Sequence, residues 1–124
     1  LSAPGGFGQL EVLQLVRVGG RSFVAFSCGR AELGSRRPGA DDGSVFLAEG
    51  AGPLGPFDVA SATALPSGTL YAARIVDDAP SGMALLAFEA GDRERFGGFI
   101  ADPVPLALTT RGWDLASPDL TAAR

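Results

Sequence analysis

Leu10-Glu11-Val12-Leu13-Gln14-Leu15-Val16-Arg17-Val18, then Gly19-Gly20, then Arg21-Ser22-Phe23-Val24-Ala25-Phe26-Ser27-Cys28, is the stretch whose reading decides the fold. Its first run alternates with a period of two, placing Leu10, Val12, Gln14, Val16 and Val18 on one face and Glu11, Leu13, Leu15 and Arg17 on the other. That alternation belongs to a strand, and because both faces are mostly apolar it predicts a strand covered on both sides. The second run holds Phe23, Val24 and Phe26, residue types that pack well on a pleated surface. A Gly-Gly pair between two such runs predicts a β-hairpin. A type I′ turn needs positive φ at both central residues, and glycine adopts it without a Cβ clash.

Outward from this hairpin the same grammar continues. The segment from Gly29 to Gly43 is polar and punctuated by glycine and proline, which reads as a loop. Further strands are expected over Ser44–Glu49, Phe57–Ala62, Thr69–Val76, Met83–Glu89 and Phe96–Ala101. Pro103 and Pro105 lack a ladder N–H, so Val104–Thr110 is expected to be an edge strand at best. Ser117 as N-cap, Pro118 at the first helical position and Asp119 beside the dipole predict a short C-terminal helix. The sum is an all-β antiparallel meander of about eight or nine short strands, forming a sandwich or a partly open barrel. Residues 1–9 read as an N-terminal arm, 10–116 as one β domain, and 117–124 as a short helix or tail.

The chain also resembles itself. Asp41-Asp42-Gly43-Ser44-Val45-Phe46-Leu47-Ala48-Glu49-Gly50 is echoed by an Asp pair at Asp77-Asp78, the apolar run Met83–Phe88, then Glu89-Ala90-Gly91. Upstream, Gly20-Arg21-Ser22-Phe23 loosely matches Gly68-Thr69-Leu70-Tyr71, and downstream each copy reaches an apolar run around Phe57 or Phe99. The period is that of a propeller blade, so propeller-like blades are the alternative architecture. Two or three blades do not close a propeller, which favours two similar meanders in a sandwich or barrel.

Composition narrows the chemistry. The chain has 124 residues, 46% hydrophobic, with 18 Gly and 9 Pro, one Cys, no His and a net charge of −4. All ten cations are arginine, and there is no Lys or Asn. A histidine-based triad, a histidine-ligated metal, a Schiff-base lysine and an N-glycosylation acceptor are therefore excluded within the chain. An acidic chain lacks the basic face that phosphate neutralisation requires, so nucleic acid is not an expected partner. No apolar run is long enough for a membrane-spanning helix. Cys28 has no partner for an internal disulfide and reads as a small buried hydrophobe.

Three sets of residues carry the candidate sites. Gly50-Ala51-Gly52-Pro53-Leu54-Gly55 satisfies the G-x-G-x-x-G pattern, so Gly50, Gly52 and Gly55 are candidate cofactor-binding residues, against a plain hairpin loop. A nucleotide site of that kind needs a helix over Pro56–Leu65. Asp41, Asp42, Asp77 and Asp78 are candidate hard-cation ligands, with Ca²⁺ the alternative to no cofactor, although ordinary turn residues share this pattern. Arg111 and Trp113 are candidate partner-binding residues, since Trp and Arg dominate interface hot spots; the competing reading has Trp113 plugging the β core. Together these features lead to a non-enzymatic binding or structural module, a subunit of a larger extracellular, bacterial or virion-like assembly that binds a protein partner or its own copies. The alternative is a small nucleotide-binding or carboxylate-based hydrolase domain.

Overall fold

The computed structural model describes residues 5–34, 43–79, 82–91 and 96–116. In chain order its strands are β1 (Glu11–Val18), β2 (Arg21–Gly29), β3 (Gly43–Gly50), β4 (Thr63–Ala64), β5 (Leu70–Ala79), β6 (Gly82–Gly91), β7 (Phe96–Ile100), β8 (Val104–Thr109) and β9 (Gly112–Leu115). They form two antiparallel sheets, one in the order β1-β2-β3-β4, the other β5-β6-β8-β9 with β7 also paired to β6. The molecule is all-β, as the patterning predicts, and the sheets face each other as a sandwich without closing into a barrel. The helix expected over 117–124 and the arm residues 1–4 fall outside the described residues.

The deciding hairpin forms as expected. Val18 pairs with Arg21 across Gly19 and Gly20, whose φ values are 57° and 78°. What differs is which strand is covered twice. β2 and β3 are buried on both faces, while the outer face of β1 is open, with Leu13 and Leu15 54% and 55% exposed. Two layers produce this. The inner faces of the two sheets share one core, with Phe23, Val45 and Leu47 against Leu70, Ile75, Leu85 and Leu106. The outer faces of β2 and β3 carry a second core of Val24, Phe26, Cys28, Phe46 and Ala48, roofed by Phe7, Leu10, Leu33, Phe57 and Val59. Phe7 stands edge-on to both Phe26 and Phe46 at 5.0 Å, a favoured aromatic geometry. The roof ends before it reaches β1.

Two strand expectations are corrected and one strand is added. Phe57–Ala62 is a single bridge from Phe57 to Gly50 and a 3-10 turn at Val59–Ser61, and the ladder resumes only at β4. Val104–Thr109 is interior, lying between β6 and β9. Pro105 is tolerated there because its carbonyl takes the Ala116 N–H just beyond the last β8–β9 pair, Leu106 with Leu115, so its missing donor faces a place where the ladder has ended. The hairpin arm β9 was not anticipated; Gly112, at φ 113°, makes its turn.

The two-layer packing predicts an uneven mutational map. Phe46→Ala, deleting a fully buried ring, should cost about 3–5 kcal/mol, whereas Leu15→Ala on the open face should cost less than about 0.5 kcal/mol. Equilibrium urea unfolding of both variants measures this, and comparable losses would place a covering layer over β1.

Candidate functional site

β1 and β5 are the facing margins of the two sheets, and each carries a β-bulge. In β1 the register shifts between Glu11 and Gln14, with Val12 at φ 54°; in β5 it shifts between Tyr71 and Arg74, with Ala72 at φ 52°. A bulge inserts one residue and resets which face the following side chains occupy. On β1 it brings Glu11 and Gln14 to the same side and leaves Leu13 and Leu15 on the other. The Gln14 amide then meets the edge of β5 as another strand would: Nε2 donates to the Ile75 carbonyl at 2.7 Å, and the Ile75 N–H donates to Oε1 at 2.8 Å. One turn of strand away, the Tyr71 hydroxyl donates to Glu11 at 2.6 Å. Burial, reinforced by the Glu11 carboxylate, pushes the Tyr71 phenol well above its ordinary range, so it holds its proton.

Outside this seam lies an apolar groove of about 350 Å³. It is lined by Leu10, by Leu13, Gln14 and Leu15 of β1, by Val24 of β2, and by Leu54, Phe57 and Val59 from the chain that follows β3. Leu54 is 79% exposed and forms the rim. Among the described lining residues Gln14 alone is polar, and both of its amide groups are engaged on Ile75, so these residues offer contacts to carbon and almost no free side-chain hydrogen-bonding group. This site was missed in the sequence because alternation places Leu13 and Leu15 on one apolar face but does not tell whether the Phe7 and Phe57 segments reach over it.

The residues singled out from sequence fall elsewhere or at its margin. Gly50, Gly52 and Gly55 lie in the loop carrying Leu54, but the chain then turns back rather than opening a helix. Gly55 N–H donates to the Gly52 carbonyl and Ala51 N–H to Pro56, and Phe57 lies so close to Gly50 that a Cβ there would meet its ring at 2.7 Å. The helix that a phosphate site requires over Pro56–Leu65 is replaced by extended chain and a 3-10 turn. Asp77 and Asp78 belong to β5 rather than to a loop, Asp77 being exposed, while Asp41 and Asp42 lie outside the described residues. Among the described residues, no three Cys, Asp or Glu side chains gather closely enough to hold a metal ion. Arg111 is exposed in the β8–β9 turn; Trp113 is partly buried, edge-on to Phe23 at 5.1 Å, and joins the main core. Among the described residues, the structure does not bring these sets together.

Comparison with protein-family models, curated proteins and solved structures found no match to this chain.

The seam gives an alkaline prediction. Because the native pKa of Tyr71 is raised, its contribution is complete below about pH 10 and is lost as the pH climbs above that value, where the unfolded chain releases the proton and the native chain does not. Tyr71 is the sole tyrosine, so phenolate absorbance reports it alone. The phenolate band should rise together with unfolding seen by circular dichroism, and a band appearing near pH 10 in folded protein would show that the phenol is not held in the seam.

Proposed function

We propose that this chain is a non-enzymatic binding module, one subunit of a larger assembly, whose groove beside β1 receives aliphatic side chains of a protein partner. The observation that carries the reading is that Leu13, Leu15 and Leu54, all exposed, line one apolar depression. Soluble monomers bury such surface unless it serves recognition. The groove is partly open to solvent, whereas small-molecule sites cover most of their ligand. A partner protein supplies the missing roof with its own surface. Absence of His and Lys from the sequence and the internally satisfied Gly50–Gly55 loop weigh on the same side.

Recognition by strand addition is not the favoured mode. The groove lies on a sheet face, while the β5 edge is occupied at Ile75 by the Gln14 amide and the edge strands β4, β9 and β7 run only two, four and five residues. Docking through side chains is what the groove offers, and it depends on shape and apolar area.

Panning a library of random peptides against the purified chain tests this. Peptides rich in Leu, Ile or Phe should be enriched, and Leu13→Ser with Leu15→Ser should weaken their binding about tenfold or more while leaving the melting temperature nearly unchanged. Failure to enrich any peptide, or peptides indifferent to both substitutions, would remove the groove as a docking site.

A further inference from the structure

We propose that the N-terminal arm, residues 5–10, is a strap whose docking completes the groove, so that arm closure and occupation of the groove are coupled. This rests on the groove being a docking site. Leu10, Val24, Phe57 and Val59 line the groove, and the same four residues belong to the second core or pack against it. Two of them depend on the arm. Leu10 is its last residue, and at its other end Gly5 lies so close to Val59 that a Cβ there would meet Val59 Cγ1 at 2.7 Å. With the arm lifted, the groove loses Leu10, and Val59 loses the chain that backs it. Val24 and Phe57 stay in place, held by the β2–β3 ladder and by the bridge from Phe57 to Gly50.

The sequence of the arm sets its closure close to balance. Gly5-Gly6-Phe7-Gly8 places one ring among three glycines, the residues that lose most conformational freedom on being ordered. On the favourable side stand the Phe7 ring, edge-on to Phe26 and Phe46, and two backbone hydrogen bonds, from the Gly8 N–H to the Glu32 carbonyl at 2.6 Å and from the Gly34 N–H to the Gly6 carbonyl at 2.8 Å. Gln9 and Leu10 form no hydrogen bond with a described residue, so the arm can hinge there without breaking the β1–β2 ladder. A segment docked through so few side chains opens locally at less cost than the whole fold. A peptide seated in the groove touches Leu10 and Val59, so it binds the closed arm better than the open one and shifts the arm toward closure.

Amide hydrogen exchange of the full chain, read by NMR, tests this with the peptide most enriched in the panning as probe. At saturating peptide, exchange at Gly8 and Gly34 should slow about fivefold or more. Linkage is reciprocal, so loosening the arm should weaken the same peptide. Phe7→Ala removes the ring that anchors the arm, and Gly34→Ala sets a Cβ 2.8 Å from the Gly6 carbonyl oxygen; neither changes a residue that lines the groove. Each should weaken peptide binding about fivefold. Should Phe7→Ala unfold, Gly34→Ala and the wild-type exchange still decide. A peptide that binds through Leu13 and Leu15 yet leaves exchange at Gly8 and Gly34 unchanged, or that binds the folded variants as tightly as wild type, would overturn the coupling and leave the groove a docking site. Failure of every peptide to bind would remove the groove itself, and the strap with it.

Discussion

At one margin the two sheets are tied by the side-chain amide of Gln14, with the Tyr71–Glu11 hydrogen bond beside it. Gln14 gives the edge of β5 the donor and acceptor that a neighbouring peptide unit would give, and it does so where neither sheet supplies a strand. An unpaired edge invites pairing with other chains, and an unpaired buried backbone group is costly, so one residue removes both problems at Ile75. The bulges on either side are the geometric condition for this. Without the extra residue in β1, Glu11 would lie with Leu13, and the Tyr71 contact that accompanies Gln14 would be lost. On the opposite face Leu13 and Leu15 stay exposed because the roof of the second core stops short of β1.

The internal likeness in the sequence has a structural counterpart. β2–β3 and β5–β6 are corresponding hairpins, and each second strand ends on a glycine bridged to a phenylalanine: Gly50 to Phe57 and Gly91 to Phe96. Beyond the bridge each copy returns to pair with the middle of that strand, through β4 at Phe46 and Leu47 and through β8 at Ala84 and Leu85. The copies face each other across a shared core instead of radiating as blades. They differ in the surroundings of the corresponding acid. The acid of the first copy, Glu49, is exposed and forms a bidentate pair with Arg21, which holds its carboxyl below the usual range. Its counterpart Glu89 is buried, one oxygen accepting the Gly91 N–H at the register shift of β6 and the other without a partner among the described residues.

Much of the fold was legible in the sequence because it is local. Gly19-Gly20 and the flanking period-two runs specify a hairpin with little help from distant residues. The places that misled are those where distant contacts decide. Phe57 to Ala62 has the composition of a strand, but Phe57 is drawn onto Gly50 and Val59 into the outer core, which leaves no ladder to join. Pro105 argues for an edge until the end of β9 is known to coincide with it. The apolar outer face of β1 looks like a buried one because composition records how apolar a face is, not whether a roof extends over it. For that reason the candidate site was the least legible part: Leu13 and Leu15 were visible, but the bulge and the reach of the Phe7 and Leu54 segments were not.

The second core has one further property. Its single thiol, Cys28, is completely buried beneath the Phe7 roof, and the chain has no other cysteine. A thiol reacts as the exposed thiolate, so an alkylating reagent reaches this one only when the roof lifts or the chain opens. The rate of labelling is then a clock for that opening. It is built into the native sequence and reads how often the outer layer detaches without any introduced probe.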